Sequence, residues 1–141
     1  MDTTTKELMD LARRLLTFEA SEELPDRFAL SFSVCQKLRE PLVKLAGAEG
    51  FRALLSRALS LAKIQNPILG SLRVSTAGVL EVADPAPLQG APQEWHDAEV
   101  NLVGQLLGLL ATFIGLALTL HLVEGVWPQV TQHGIPSRDI S

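Results

Sequence analysis

The sequence predicts a mainly α-helical domain, with three amphipathic helices and a small β-hairpin around a long apolar C-terminal helix. Three observations predict it. Apolar residues recur at helical spacing through most of the first 66 positions. Leu supplies 26 of the 141 residues, while Tyr is absent and the aromatics number seven. Val100 to Val123 is a run of 24 residues without one charged side chain. At 141 residues, 47% hydrophobic and 20% charged, the chain has one domain's length and is too short for two ordinary ones. A chain near this size buries roughly 68–70% of its unfolded surface, so a core forms without covalent staples.

The first helix opens on Thr4-x-x-Glu7, a capping box in which the hydroxyl takes one orphan amide and the carboxylate answers another. Leu8, Leu11, Ala12, Leu15 and Leu16 then mark one face, with Asp10, Arg13 and Arg14 opposite. Asp26 is placed to cap the second helix. Phe28, Leu30, Phe32 and Val34 alternate like a strand, but Phe28, Phe32, Cys35, Leu38 and Leu42 step by four and three for longer than a strand runs. Pro41 is expected to kink or divide that helix, and Gly47 to stop it. Ala48 or Glu49 opens the third helix, whose stripe is Phe51, Leu54, Leu55, Ala58, Leu59 and Ala62. Asn66-Pro67 ends it, because a proline pushes the preceding residue out of helical geometry.

Over Leu72 to Val82 the period changes to two, and Gly78 can supply the positive φ of a tight hairpin turn. Residues 83–93 hold three prolines and a glycine, the composition of a linker within the domain. The last helix is expected to run unbroken from Gln93 to Val126, about 50 Å at 1.5 Å per residue. The domain then spans 1–128, and 129–141 read as a flexible tail.

Charge divides the chain unevenly. Residues 1–66 carry 10 Lys and Arg against 9 Asp and Glu, whereas residues 67–141 carry 2 against 7. The cations are interleaved with acids and the net charge is −4, which argues against nucleic acid, whose binding needs clustered cations. The Phe residues are also expected on core stripes, leaving no exposed rings for base stacking. Met1-Asp2-Thr3 lacks the basic start of a secretory signal. The single Cys35 excludes an intramolecular disulfide and fits a reducing cytoplasm.

The charge-free run admits two readings. Leu102 to Val123 would cover roughly 33 Å, close to the ~30 Å core of a bilayer. Gly104-x-x-x-Gly108 is a spacing used by packed membrane helices, and Trp95 and Trp127 flank the run. Against a span, no Lys or Arg lies within 20 residues before Leu102 and only Arg138 follows within 20 after Val123. The two Trp residues would also stand about 48 Å apart, too far for two interfacial belts. A hub helix buried by the three upstream helices is the reading preferred here. Along it Gly104, Gly108 and Gly115 form a small-residue seam for close helix packing or for a second copy of the chain. The inner or plasma membrane is the alternative location.

Catalytic chemistry has little to rest on. His96-x-x-Glu99 and His121-x-x-Glu124 each place two ligand types on one helix face, but about 37 Å apart on a continuous helix. They read as end-capping or surface histidines, and no metal or cofactor is expected. Cys35 falls on an apolar stripe, the position of a small core residue rather than a nucleophile. No nucleophile elbow or phosphate-cradling loop is present. The expectation is a non-catalytic interaction module, a regulatory or adaptor component that binds itself and another protein, with a hairpin edge available for strand addition. A single-span membrane protein with a cytosolic helical head (span about 102–123) and a binder of an apolar ligand between helices are the alternatives.

Overall fold

The computed structural model describes residues 3–22, 29–82 and 92–128. Four α-helices and one two-stranded sheet make up these residues: α1 (Thr3–Glu22), α2 (Ala29–Gln65), β1 (Leu72–Val74), β2 (Leu80–Val82), α3 (Pro92–Ile114) and α4 (Leu116–Val126). The architecture is the mainly helical one that the apolar spacing predicts.

In α1, Leu8, Leu11, Ala12, Leu15 and Leu16 are all buried, while Arg13, Arg14 and Thr17 face solvent. The helix is already under way at Thr3, one residue ahead of the expected Thr4 cap. α1 runs on to Glu22; the expected Asp26 cap and Phe28 fall outside the described residues.

α2 contains both the second and third expected helices. They meet at Gly47, whose φ of 83° and ψ of 163° form the one non-helical point inside it. Pro41 lies within the helix and does not divide it. Proline removes one backbone bond, but its fixed φ near −65° is itself helical; Gly47 sits where a side chain is strongly disfavoured, so the chain turns there. On one arm Val34, Cys35, Leu38 and Leu42 are buried, and on the other Phe51, Leu55, Ala58, Leu59 and Ala62.

A short 3-10 helix, Pro67–Ser71, follows the Asn66-Pro67 break and buries Leu69. The strands pair antiparallel with Leu72 opposite Val82, Arg73 opposite Glu81 and Val74 opposite Leu80. Their turn closes on Ser75, whose Oγ accepts the amides of Ala77 and Val79, with Gly78 at φ 79°. A Cβ on Gly78 would lie 3.5 Å from the Phe51 ring, so the hairpin rests on α2. Arg39 fixes the contact by donating from Nη2 to the Ala77 carbonyl at 3.1 Å.

α3 is the hub. It packs against α1, α2, α4 and the 3-10 helix, and it buries Trp95, Ala98, Val100, Leu102, Val103, Leu106, Leu107 and Leu110 in one continuous core. The expected single helix from Gln93 to Val126 is not what forms. Gly115, at φ 96° and ψ 151°, separates α3 from α4. This correction has a tertiary cause. Thr119, Val123 and Trp127 lie on one stripe and are buried at 0%, 0% and 1% exposure, which requires α4 to pack against α3 and α2 rather than continue the α3 axis. The expected linker and tail fall outside the described residues, apart from Pro92 and Gln93, which belong to α3.

Candidate functional site

The feature with most functional content is the elbow where α3 meets α4. Beyond Leu110 the hub emerges from its cover: Thr112 and Phe113 are exposed, as are Ala117 and Leu118 on the far side of Gly115. Phe113 is 60% exposed and Leu118 38%, and no charged residue lies between Val100 and Val123. Leu109, Ile114, Leu116 and Leu122 of the same segment are half-buried. Phe113 corrects the expectation that the Phe residues all fall on core stripes. Exposed apolar residues are common on protein surfaces; what is unusual here is that they fall in a segment without a charged side chain.

Backbone chemistry at the elbow is equally distinctive. The Gly115 amide still donates to the Ala111 carbonyl at 2.9 Å, and the Thr119 amide to the Gly115 carbonyl at 3.1 Å. Between them, Leu116, Ala117 and Leu118 form the first turn of α4, whose amides have no carbonyl four residues back within that helix, and no side chain caps it. The Thr119 hydroxyl donates to the Gly115 carbonyl at 2.8 Å, tying the buried stripe of α4 to the break.

The seam glycines have three different surroundings. Gly104 is buried against α1, where an added Cβ would lie 2.3 Å from Met9 Sδ. A Cβ on Gly108 would meet nothing within 4 Å, so that position opens toward the uncovered side of α3. Gly115 is the break itself. Close approach along the seam inside the chain is therefore confined to Gly104, while Gly108 borders the exposed elbow.

The other candidates do not assemble. Glu99 is buried at 3% exposure and His96 is half-buried, whereas His121 and Glu124 face solvent. Among the described residues no three His, Cys, Asp or Glu side chains are grouped to hold a metal. Cys35 is buried, and burial, followed by the nearby Glu99 charge, pushes its thiol up to about 12; it is a poor nucleophile at neutral pH. Arg13, Lys44, Arg52 and Arg73 each lie within ion-pair distance of an acid, the solvated pattern expected of interleaved charges.

One polar connection is invisible in the periodicity. Asn101, buried on α3, donates from Nδ2 to the Asn66 Oδ1 at 2.6 Å and accepts from Gln105 Nε2 at 3.2 Å. This chain of amides pins the end of α2 to the hub and forms part of a shallow cleft of about 390 Å³ with Met9, Arg13 and Asp97. A polar residue inside a charge-free helix was the available signal. Compared with family models, with curated proteins and with solved structures, the chain finds no match in any of the three.

Proposed function

We propose that the chain is a non-catalytic helical interaction module that associates with itself, and with a further protein, through the α3–α4 elbow, as a regulatory or adaptor component of the cytoplasm. The observation that carries this reading is the exposure of Phe113 and Leu118 within a segment that carries no charge from Val100 to Val123. Covering exposed apolar side chains removes apolar area from water at roughly 25 cal/mol per Å², and the segment itself brings no charge to such an interface. The open position at Gly108 supports the same reading, since a partner helix can approach closely where no Cβ intervenes. Sedimentation of the detergent-free chain tests it. The wild type should run as an oligomer and Phe113→Asp as a monomer with an unchanged circular dichroism spectrum; a monomeric wild type at high micromolar concentration rejects the proposal.

A membrane location is the second reading, favoured by one observation. The segment Glu94–Ile114 of α3 is long and apolar enough to cross a bilayer, with a mean hydropathy of 1.3. Just over half of that window is buried inside the protein, and both Trp95 and Trp127 are core residues, which supports the hub role instead. Recovery of the chain in the soluble fraction without detergent removes the membrane reading.

A further inference from the structure

We propose that the chain self-associates by exchanging α4: Gly115 straightens, α3 and α4 join into one helix, and each copy seats its Thr119, Val123 and Trp127 in the other's core. This deepens the self-association proposed above and names the segment that the second copy contributes.

Four observations converge on it. The connection between α3 and α4 is a single residue, Gly115, held at a φ of 96° that side chains rarely adopt. At a ψ of 151° as well, this is a conformation belonging almost wholly to glycine. Opening requires little new structure, because the bonds from Gly115 to Ala111 and from Thr119 to Gly115 already have the helical i to i−4 pattern. Straightening would let the first-turn amides of α4, on Leu116, Ala117 and Leu118, donate to the carbonyls of Thr112, Phe113 and Ile114 across the present break. Exchange also preserves what holds α4 in place, since the same stripe fills the same site on the neighbouring copy. A one-residue connection is a short hinge of the kind that invites such exchange, and exchange is a low-cost route to a dimer.

The exchanged form also accounts for the elbow surface. Two straightened helices must pass each other to reach opposite cores, and they do so over the residues between Gly108 and Leu118. That stretch is uncharged, so the crossing opposes no like charges. Gly108, Thr112 and Gly115 step by four and three along it, and on a straightened helix they share one face that permits close approach.

Spin labels at Glu94→Cys and Glu124→Cys, both exposed positions, measure the exchange directly in the full chain; the native Cys35 is buried and stays unlabelled. Labelled chains diluted into excess unlabelled protein report only the distance within one chain. In the oligomer that distance should lengthen to about 45 Å, the span of 30 residues of continuous helix. An oligomer with the same short distance as the monomer overturns the exchange and leaves self-association through the elbow standing. A chain that stays monomeric at all concentrations overturns both. Gly115→Ala provides the second arm: alanine disfavours the bent form and favours the helix, so the dissociation constant should fall on the order of tenfold or more. An unchanged or weakened constant in a folded Gly115→Ala protein also overturns the exchange. Should that variant fail to fold, the wild-type distance alone decides.

Discussion

At Gly104 the hub leaves no room for a Cβ beside Met9 of α1, and a double-mutant cycle with Met9 measures that contact. A Cβ placed on Gly104 falls 2.3 Å from Met9 Sδ, 2.8 Å from Cε and 3.5 Å from Cγ. Sulfur and carbon cannot approach to 2.3 Å without bonding, so Met9 must move by more than an ångström. The displaced atoms are the flexible end of its side chain, which limits the cost to the overpacking range of about 1–3 kcal/mol. Alanine in place of glycine inside a helix returns about 1 kcal/mol. Gly104→Ala is therefore expected to destabilise the wild type by about 0–2 kcal/mol. In a Met9→Ala background the clash is gone and the same change should stabilise by about 1 kcal/mol. The coupling energy is then about 1–3 kcal/mol, well above the deviation expected between independent sites. Urea denaturation of the four proteins supplies all the numbers. Equal stabilisation by Gly104→Ala in both backgrounds would refute the tight α1–α3 contact and the role given to that glycine.

Three other outcomes follow from the same packing. Gly108→Leu should leave the stability of the single chain unchanged or slightly raised, because a Cβ there meets nothing within 4 Å, while weakening self-association on the order of tenfold; thermal melts and sedimentation read the two effects separately. Trp127→Ala should cost about 3–5 kcal/mol, the range for removing a fully buried large aromatic, and a loss below 1 kcal/mol by chemical denaturation would show that α4 does not dock as described. Cys35 should resist a thiol reagent at pH 8 until the protein is unfolded. Its folded-state thiol is raised to about 12 from an ordinary value of 9.0, so above pH 9 the unfolded chain releases this proton first, and stability should fall as the pH rises from 9 to about 12. Cys35→Ala should remove that component of the slope.

Most of the helical framework was legible because local pattern and tertiary burial agree. The i, i+3, i+4 stripes of α1 and of both arms of α2 are the faces that became core, and Gly47 and Gly78 stand at the positive φ values where turns were expected. Asn66-Pro67 ended a helix as its chemistry requires. Gly115 shows where legibility stops. A glycine within an apolar run reads alike whether it admits a neighbouring helix, as Gly104 admits Met9, or breaks the helix. What separates the two is long-range: the burial of Thr119, Val123 and Trp127, whose receiving surface is built by α2 and α3. Pro41 is the converse case, a strong local signal for a break that the helix passes through. The candidate site was half legible. Its lack of charge stood out in the sequence, but the exposure of Phe113 depends on how far α1 and α2 cover the hub. The buried position of Glu99, close enough to Cys35 for its charge to act on the thiol, has no sequence signature at all.

Amide hydrogen exchange across the elbow, compared between dilute and concentrated protein, tests the central claim most directly. The amides of Leu116, Ala117 and Leu118 belong to the uncapped first turn of α4, and Ala117 and Leu118 are exposed, so they should exchange fast when dilute. If the elbow is the surface through which copies associate, these amides and those flanking Phe113 should slow as concentration rises, while the hub amides from Leu102 to Leu107 remain protected throughout. Rapid exchange at Leu116 to Leu118 at every concentration, in a sample whose mass shows association, would place the interface elsewhere and contradict the account.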